Sequence, residues 1–260
     1  MKGAATKGTP RISVSVQKPL PAAGGKLWMP TGFVPAGAEA LSSVNRIPHG
    51  REMPTETAAT RSKYERIARF YDILDLPFEF RRYATLREQL FEGAGGRILD
   101  AGIGTGRNIA YYPPQSQVTG IDLSAAMLRR AAKRRDRLGS SVDLLEADAL
   151  HTGFPSQHFD AIVASFLFCV LDETQQLPAL REMRRICKPA GSIRILEYAM
   201  SERPVQRFVM RLWEPWLRWA YGAAFDRNTE RYVRAAGLKI VENRFVFHDI
   251  VKLIIVKPDG

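Results

Sequence analysis

The stretch ILDAGIGTGRNIAYYP, Ile98 to Pro113, decides the fold. An apolar run closes on Asp100, and Gly102, Gly104 and Gly106 follow at alternate positions. Glycine lets the backbone turn sharply out of a strand and come close to a ligand with no Cβ in the way. A dinucleotide-binding loop of this type reads G-x-G-x-x-G, its third glycine lying where helix meets strand. Counted from Gly102 and Gly104, that third place is Arg107, so the fingerprint fails. What stands instead is Asp100-x-Gly102-x-Gly104-x-Gly106. A pyrophosphate is best met by free N–H groups at a helix N-terminus. A tight glycine turn offers carbonyls as well as N–H groups, which suits a ligand carrying both an ammonium and a carboxylate.

Outward from this loop, strand and helix signals alternate. Strands are predicted at Arg97–Ala101, Val118–Asp122, Val142–Glu146, Phe159–Phe166 and Ser192–Glu197. Helical runs lie near Ala110, at Ala125–Leu138 and at Thr174–Cys187, and Ser124 is the expected N-cap of the second. Lys188-Pro189-Ala190-Gly191 reads as a stop and turn ahead of strand five. Two β-rich runs, Leu238–Val246 and Ile250–Val256, flank Phe247-His248-Asp249 in hairpin fashion. The alternation implies a parallel α/β sheet with helices on both faces, finished by an antiparallel strand.

Two acids complete the pattern. Asp122 ends strand two in VTGIDLS, about 20 residues beyond the loop, where a carboxylate accepts from ribose hydroxyls and argues against a 2′-phosphate. Asp148, in Glu146-Ala147-Asp148-Ala149 after strand three, is placed to accept from the exocyclic amine of a purine. Singly, such acids read as turn or cap residues. In this order and at these intervals they are strong together.

Here the chain resembles the class I S-adenosylmethionine-dependent methyltransferases. The matching stretches are ILDAGIGTGRN, VTGIDLSAAML, LLEADALHTGFPSQHFDAIVASF and LPALREMRRICKPAGSIRILEY, and the resemblance runs from about Tyr64 to the C-terminus. It implies a Rossmann-like seven-stranded, mostly parallel sheet with an antiparallel last strand and a helical lid. It implies S-adenosyl-L-methionine as cofactor, with Gly102, Gly104 and Gly106 on the methionyl part and Asp100 supporting the loop. Asp122 would hold the ribose, Leu123 and Met127 would lie near the adenine, Asp148 and Ala149 would flank its edge, and Ser165 and Phe166 would line the end of strand four. The segment KYERIARFYDILDLPFE resembles the lid of quinone and lipid-headgroup methyltransferases, where an aromatic, here Tyr64 or Tyr71, covers the methyl donor. An aromatic face favours a cation. The same residues also fit the buried stripe of an ordinary helix.

Methyl transfer from a sulfonium needs positioning and desolvation more than a base. The catalytic residue is accordingly left open. Of four histidines, His248, in the turn between the last strands, is the one weak candidate. No zinc-type cluster is legible around the two cysteines, Cys169 and Cys187, and a disulfide framework is unsupported, so a reducing compartment fits best.

The acceptor is read from RPVQRFVMRLWEPWLRWAYGAAF, Arg203–Phe225. Val205, Phe208, Val209, Leu212, Trp213, Trp216, Leu217 and Ala220 follow helical spacing, with Arg203, Arg207, Arg211 and Arg218 on the other face. The stripe suits an ordinary core helix, a cap over an apolar pocket, or a helix in a membrane interface; Pro215 would kink or divide it. This half resembles the phosphatidylethanolamine N-methyltransferases, the ubiquinone/menaquinone C-methyltransferases and the small thiol methyltransferases. The resemblance implies a small apolar or lipid-like acceptor: a headgroup amine, a quinone precursor or a thiol.

A net charge of +11 suits an anionic membrane surface. It also suits nucleic acid, through Arg129, Arg130, Lys133, Arg134, Arg135 and Arg137, although Ser165-Phe166-Leu167-Phe168 replaces the N-P-P-Y-type tetrad of base-amino methylation. A nucleic-acid or protein methyltransferase and a non-catalytic cofactor-binding module are the alternatives. Residues 1–60, punctuated by Pro10, Pro19, Pro21, Pro30, Pro35, Pro48 and Pro54, read as a disordered extension ahead of a methyltransferase domain over 61–260. With no acid before Glu39, the extension also resembles an organelle transit peptide. A cytoplasmic protein, peripheral at a membrane, is the expectation.

Overall fold

The computed structural model describes residues 82–221 and 223–259. The expectations for residues 1–60, and for Tyr64 and Tyr71, lie outside them.

Seven strands form one sheet. They are β1 (Arg97–Ala101), β2 (Gln117–Asp122), β3 (Asp143–Glu146), β4 (Phe159–Ser165), β5 (Cys187–Tyr198), β6 (Leu238–Phe247) and β7 (Val251–Pro258). Their order is β3-β2-β1-β4-β5-β7-β6. The first five are mutually parallel, β7 runs antiparallel to β5, and β6 runs antiparallel to β7. The helices are α1 (Arg82–Phe91), α2 (Ala125–Leu138), α3 (Glu173–Ile186), α4 (Pro204–Tyr221) and the single turn α5 (Glu230–Val233). A 3-10 turn covers Arg107–Tyr111.

Side chains on a strand alternate between faces, and here the alternation builds two cores. Ile98, Ala161 and Val163 point to the face covered by Leu86 and Leu90 of α1 and Ile109 of the 3-10 turn. Leu99, Ile162 and Ala164 point to the other, where Leu180, Met183 and Ile186 of α3 pack. Strands buried on both faces read as near-continuous apolar runs, which is why Phe159-Asp160-Ala161-Ile162-Val163-Ala164 carries no polar alternation of its own. Ser124 caps α2 as expected, its hydroxyl accepting from Met127 N at 3.3 Å.

Most boundaries shift by one or two residues, and those of strands four and five differ in ways that shape the site. Lys188-Pro189-Ala190-Gly191 does not precede strand five but lies inside it. Phe159 pairs with Cys187 and Ala161 with Ser192, so these four residues bulge opposite Asp160 alone. Lys188 Nζ closes the bulge on Asp160 Oδ1 at 2.7 Å, and a Cβ on Gly191 would fall 2.8 Å from Asp160 O. Strand four stops at Ser165 because Phe166 takes φ 55, a left-handed value that turns the chain out of the sheet. Pro215 sits within α4, which continues through it.

The chain builds outward from β1 through β2 to β3, then returns to β1's other side for β4 and β5. The reversal falls between β1 and β4, and a crevice opens at the C-terminal ends of such strands.

Candidate functional site

A cleft lies at that crevice. It is lined by Gly102 and Gly104 after β1, Asp122, Leu123 and Met127 after β2, Asp148 and Ala149 after β3, and Ser165, Phe166 and Leu167 after β4. Ile121, Ala147, Leu150, Val170 and Leu171 complete its apolar wall. Eight of the residues expected at the cofactor thus share one cavity: Gly102, Gly104, Asp122, Leu123, Met127, Asp148, Ala149 and Ser165.

The glycine loop is shaped by its own backbone. Gly102 N and Ile103 N both donate to Ile121 O at 2.9 Å, folding the loop onto β2. Gly104 has φ +57, and a Cβ there would find only Gly102 O, at 4.0 Å; its backbone faces open space. Gly106 is different. A Cβ on it would lie 2.6 Å from Ile109 Cδ1 and 3.1 Å from Ala131 Cα. It is the place where the loop packs on α2, and it does not line the cleft.

Asp122 joins loop and helix. Its Oδ2 accepts from Gly104 N and its Oδ1 from Ser124 N, both at 2.9 Å. Burial pushes its pKa up to about 6 even though these two N–H groups pull the other way. Each carboxylate oxygen retains a second lone pair, and Asp122 lines the cleft.

Asp100 is fully buried beneath the loop and does not line the cleft. Its carboxylate accepts from Asn108 Nδ2 at 3.0 Å and from the Tyr112 hydroxyl at 2.7 Å. Asn108 Nδ2 also lies 3.0 Å from Ser165 Oγ, and Asn108 Oδ1 accepts from Arg87. Burial raises Asp100 to about 6, against the hydrogen bonds of Tyr112 and Asn108. This network ties α1, the loop and the end of β4 together. Arg134, one of the basic residues named above as suiting nucleic acid, donates to Thr105 O at 2.9 Å and holds the loop between its last two glycines.

The segment after β4 has its own anchor. Glu197, fully buried near the end of β5, accepts from Cys169 N and Tyr198 N, each at 2.8 Å. Burial lifts it to about 7. Gln176 of α3 grips the same segment through Phe168 O at 2.8 Å and Leu171 O at 3.0 Å. So held, Phe166 packs on Tyr198 with ring centroids 4.6 Å apart, and Tyr198 meets Phe225 edge-on at 5.5 Å. An aromatic wall therefore leads away from the cleft.

His248 sits in the β6–β7 turn at φ 46, its ring against Phe247, and does not line the cleft. Tyr71 lies outside the described residues. Asn108, Tyr112, Arg87 and Glu197 escaped the sequence reading as site residues, and Arg134 was read only as part of a basic surface. The available signal was weak: Glu197 is an acid directly after Ile195-Leu196 at the end of a strand, and Asn108 directly precedes Ile109-Ala110.

The reversed strand order, the glycine loop and the acid at the end of β2 together form a Rossmann-like ligand cleft at the switch point of the sheet. Residues 98–191 match the family model of the methyltransferase domain. A phosphatidylethanolamine N-methyltransferase of Cereibacter sphaeroides is 35% identical over 141 residues, covering 52% of this chain and 68% of that protein. A ubiquinone/menaquinone biosynthesis C-methyltransferase of Syntrophotalea carbinolica is 34% identical over 154 residues, covering 56% of this chain and 64% of that protein. Among solved structures, a 1,6-didemethyltoxoflavin-N1-methyltransferase of Burkholderia thailandensis, with its substrate and S-adenosylhomocysteine bound, shares the fold. Its TM-score is 0.59 at 17% identity, over 82% of this chain and 94% of that one. The chain belongs to the S-adenosylmethionine-dependent methyltransferases.

Proposed function

We propose that this protein transfers the methyl group of S-adenosylmethionine to a small apolar or lipid-like acceptor: a headgroup amine, a quinone precursor or a thiol. One observation carries the acceptor class. Beyond Ser165 the cleft wall is Phe166, Leu167, Val170 and Leu171, continued by Tyr198 and Phe225. Such a wall favours an apolar or lipid-like group, and its aromatic faces suit a flat ring or an amine cation. Relatives named for phosphatidylethanolamine and for ubiquinone or menaquinone support this reading. Acceptors of that kind reside in or at membranes, and the charge of +11 suits an anionic one.

The lining residues fit the cofactor. The open side of Gly104 admits the methionyl part against bare backbone, where a Cβ would intrude. Asp122 would accept from the ribose hydroxyls through its remaining lone pairs. Leu123 and Met127 would flank the adenine, and Asp148 and Ala149 would meet its edge, Asp148 already accepting from Leu150 N at 2.9 Å. Asp100 and Asn108 position the loop, and Gly106 its packing on α2.

Bound S-adenosylmethionine supplies an activated methyl group on a sulfur that leaves readily. The protein's part is to hold donor and acceptor in line and to exclude water, the work of Phe166, Leu167 and the glycine loop.

The test uses S-adenosylmethionine labelled in its methyl group, incubated with the protein and a cell extract that is then fractionated. Label in the organic or volatile fraction is the expected result. Label in RNA, DNA or protein would refute the acceptor class, and no label despite measured cofactor binding would make the chain a binding module.

A further inference from the structure

On α4 an apolar stripe faces away from the core. Val205, Phe208, Val209, Leu212, Trp213 and Trp216 recur at i, i+3, i+4, i+7, i+8 and i+11 and lie on one side of the helix. All six are exposed, from 39% at Trp216 to 76% at Val205. The ordinary-core reading of this stripe therefore fails. Monomeric proteins rarely leave so continuous an apolar strip in water without a use for it.

We infer that α4 lies in the interface of an anionic lipid bilayer, its stripe in the acyl boundary and its axis along the surface. Three features favour this occupant over a second copy of the chain. Two of the six exposed residues of the stripe are tryptophans, Trp213 and Trp216, and tryptophan is the side chain that membrane interfaces prefer. The segment Arg203–Tyr221 has four arginines and one acid, Glu214, with Arg203 and Arg211 exposed. A second copy would bring a further charge of +11 to the contact, whereas an anionic surface answers it. Among the described residues no helix is long and apolar enough to cross a membrane, so α4 lies on the bilayer and does not span it.

The placement has a purpose. Leu217, on the inner side of α4, packs in one cluster with Cys169, Val170, Phe166 and Tyr198. Phe166 and Val170 also line the cleft. A docked α4 thus sets the aromatic wall of the cleft against the lipid, and an acceptor enters sideways without passing through water. This step rests on the lipid-like acceptor of the proposed function; the docking itself does not.

The experiment uses the full chain with vesicles of phosphatidylcholine alone and of phosphatidylcholine with phosphatidylglycerol, read by co-sedimentation and tryptophan emission. Binding to the anionic vesicles about tenfold or more above the neutral ones, with a blue shift, is expected from two exposed arginines at the surface. Leu212→Ser with Phe208→Ser should abolish it while leaving S-adenosylhomocysteine affinity and circular dichroism unchanged. Equal binding by this double variant overturns the inference, as does wild-type protein that ignores both vesicles. So does a wild-type dimer in sedimentation velocity that the double variant turns to monomer. Vesicle binding without label in the organic fraction would refute the acceptor and leave the docking standing.

Discussion

Gly104, Gly106 and Gly139 hold left-handed backbone at φ +57, +79 and +63, in three different surroundings. Alanine at each should separate strain, packing and ligand approach. Left-handed backbone costs an L residue roughly 1–2 kcal/mol. At Gly139, past the end of α2, an added Cβ meets nothing within 4 Å, so strain is the whole effect. At Gly106 the same Cβ lies 2.6 Å from Ile109 Cδ1 and 3.1 Å from the backbone of Ala131. Overpacking of that kind adds about 1–3 kcal/mol, for a total of about 2–5 kcal/mol. For a domain of this size each kcal/mol lowers Tm by roughly 2–4 °C. Gly104→Ala should melt with Gly139→Ala, because its Cβ has room, yet bind S-adenosylhomocysteine at least about tenfold more weakly by calorimetry, a loss of about 1.4 kcal/mol. Thermal melts and titrations of the three variants decide it. Gly106→Ala melting with Gly139→Ala would remove the packing role. Wild-type affinity in Gly104→Ala would remove the close approach of ligand to backbone.

Asp122→Asn should weaken S-adenosylhomocysteine binding about tenfold or more, since its amide turns donors toward Gly104 N or Ser124 N and spoils the ribose acceptor; unchanged affinity would sink the ribose assignment. Asn108→Ala withdraws a donor from the buried Asp100 and should cost about 1–3 kcal/mol in denaturant melts, with a fall in cofactor affinity as the loop loosens. Burial raises Asp100 and Asp122 to about 6 and Glu197 to about 7. The folded chain therefore binds these protons more tightly than the unfolded one. The stability they contribute is complete below about pH 4 and is lost as pH rises through 6 to 7, by at most roughly 3 kcal/mol per group. Tm should thus be lower at pH 8 than at pH 5.5, and a rise over that interval would mean that burial does not dominate these groups.

The cofactor half was legible because its residues are close in sequence and each sits where a strand ends. Gly102, Asp122, Asp148 and Ser165 mark four consecutive strand ends, and strand periodicity alone locates such points. Asn108, Arg87 and Glu197 were not legible, because their partners are set by packing. Arg87 meets Asn108 only once α1 lies on the sheet, and Glu197 meets Cys169 N only once β4 and β5 pair. The residues Lys188–Gly191 carry turn chemistry and do turn, but within a ladder that resumes on the far side. On α4 the helical period was visible and its partner was not, since period tells which side is apolar and not what covers it.

The outer strand β6 bears on how this protein behaves when concentrated. A strand at the rim of a sheet offers its backbone to any passing chain, and exposed Ile240, Val241 and Phe245 would help such a chain adhere. Yet β6 breaks register against β7 twice, between Ile240 and Glu242 and again between Phe245 and Phe247. Each break twists the rim and interrupts the row of groups that a growing fibril must copy. Clumping in dilute buffer should therefore begin at side chains, on α4, and not at the sheet. Detergent should reverse it, and amyloid dyes should stay dark.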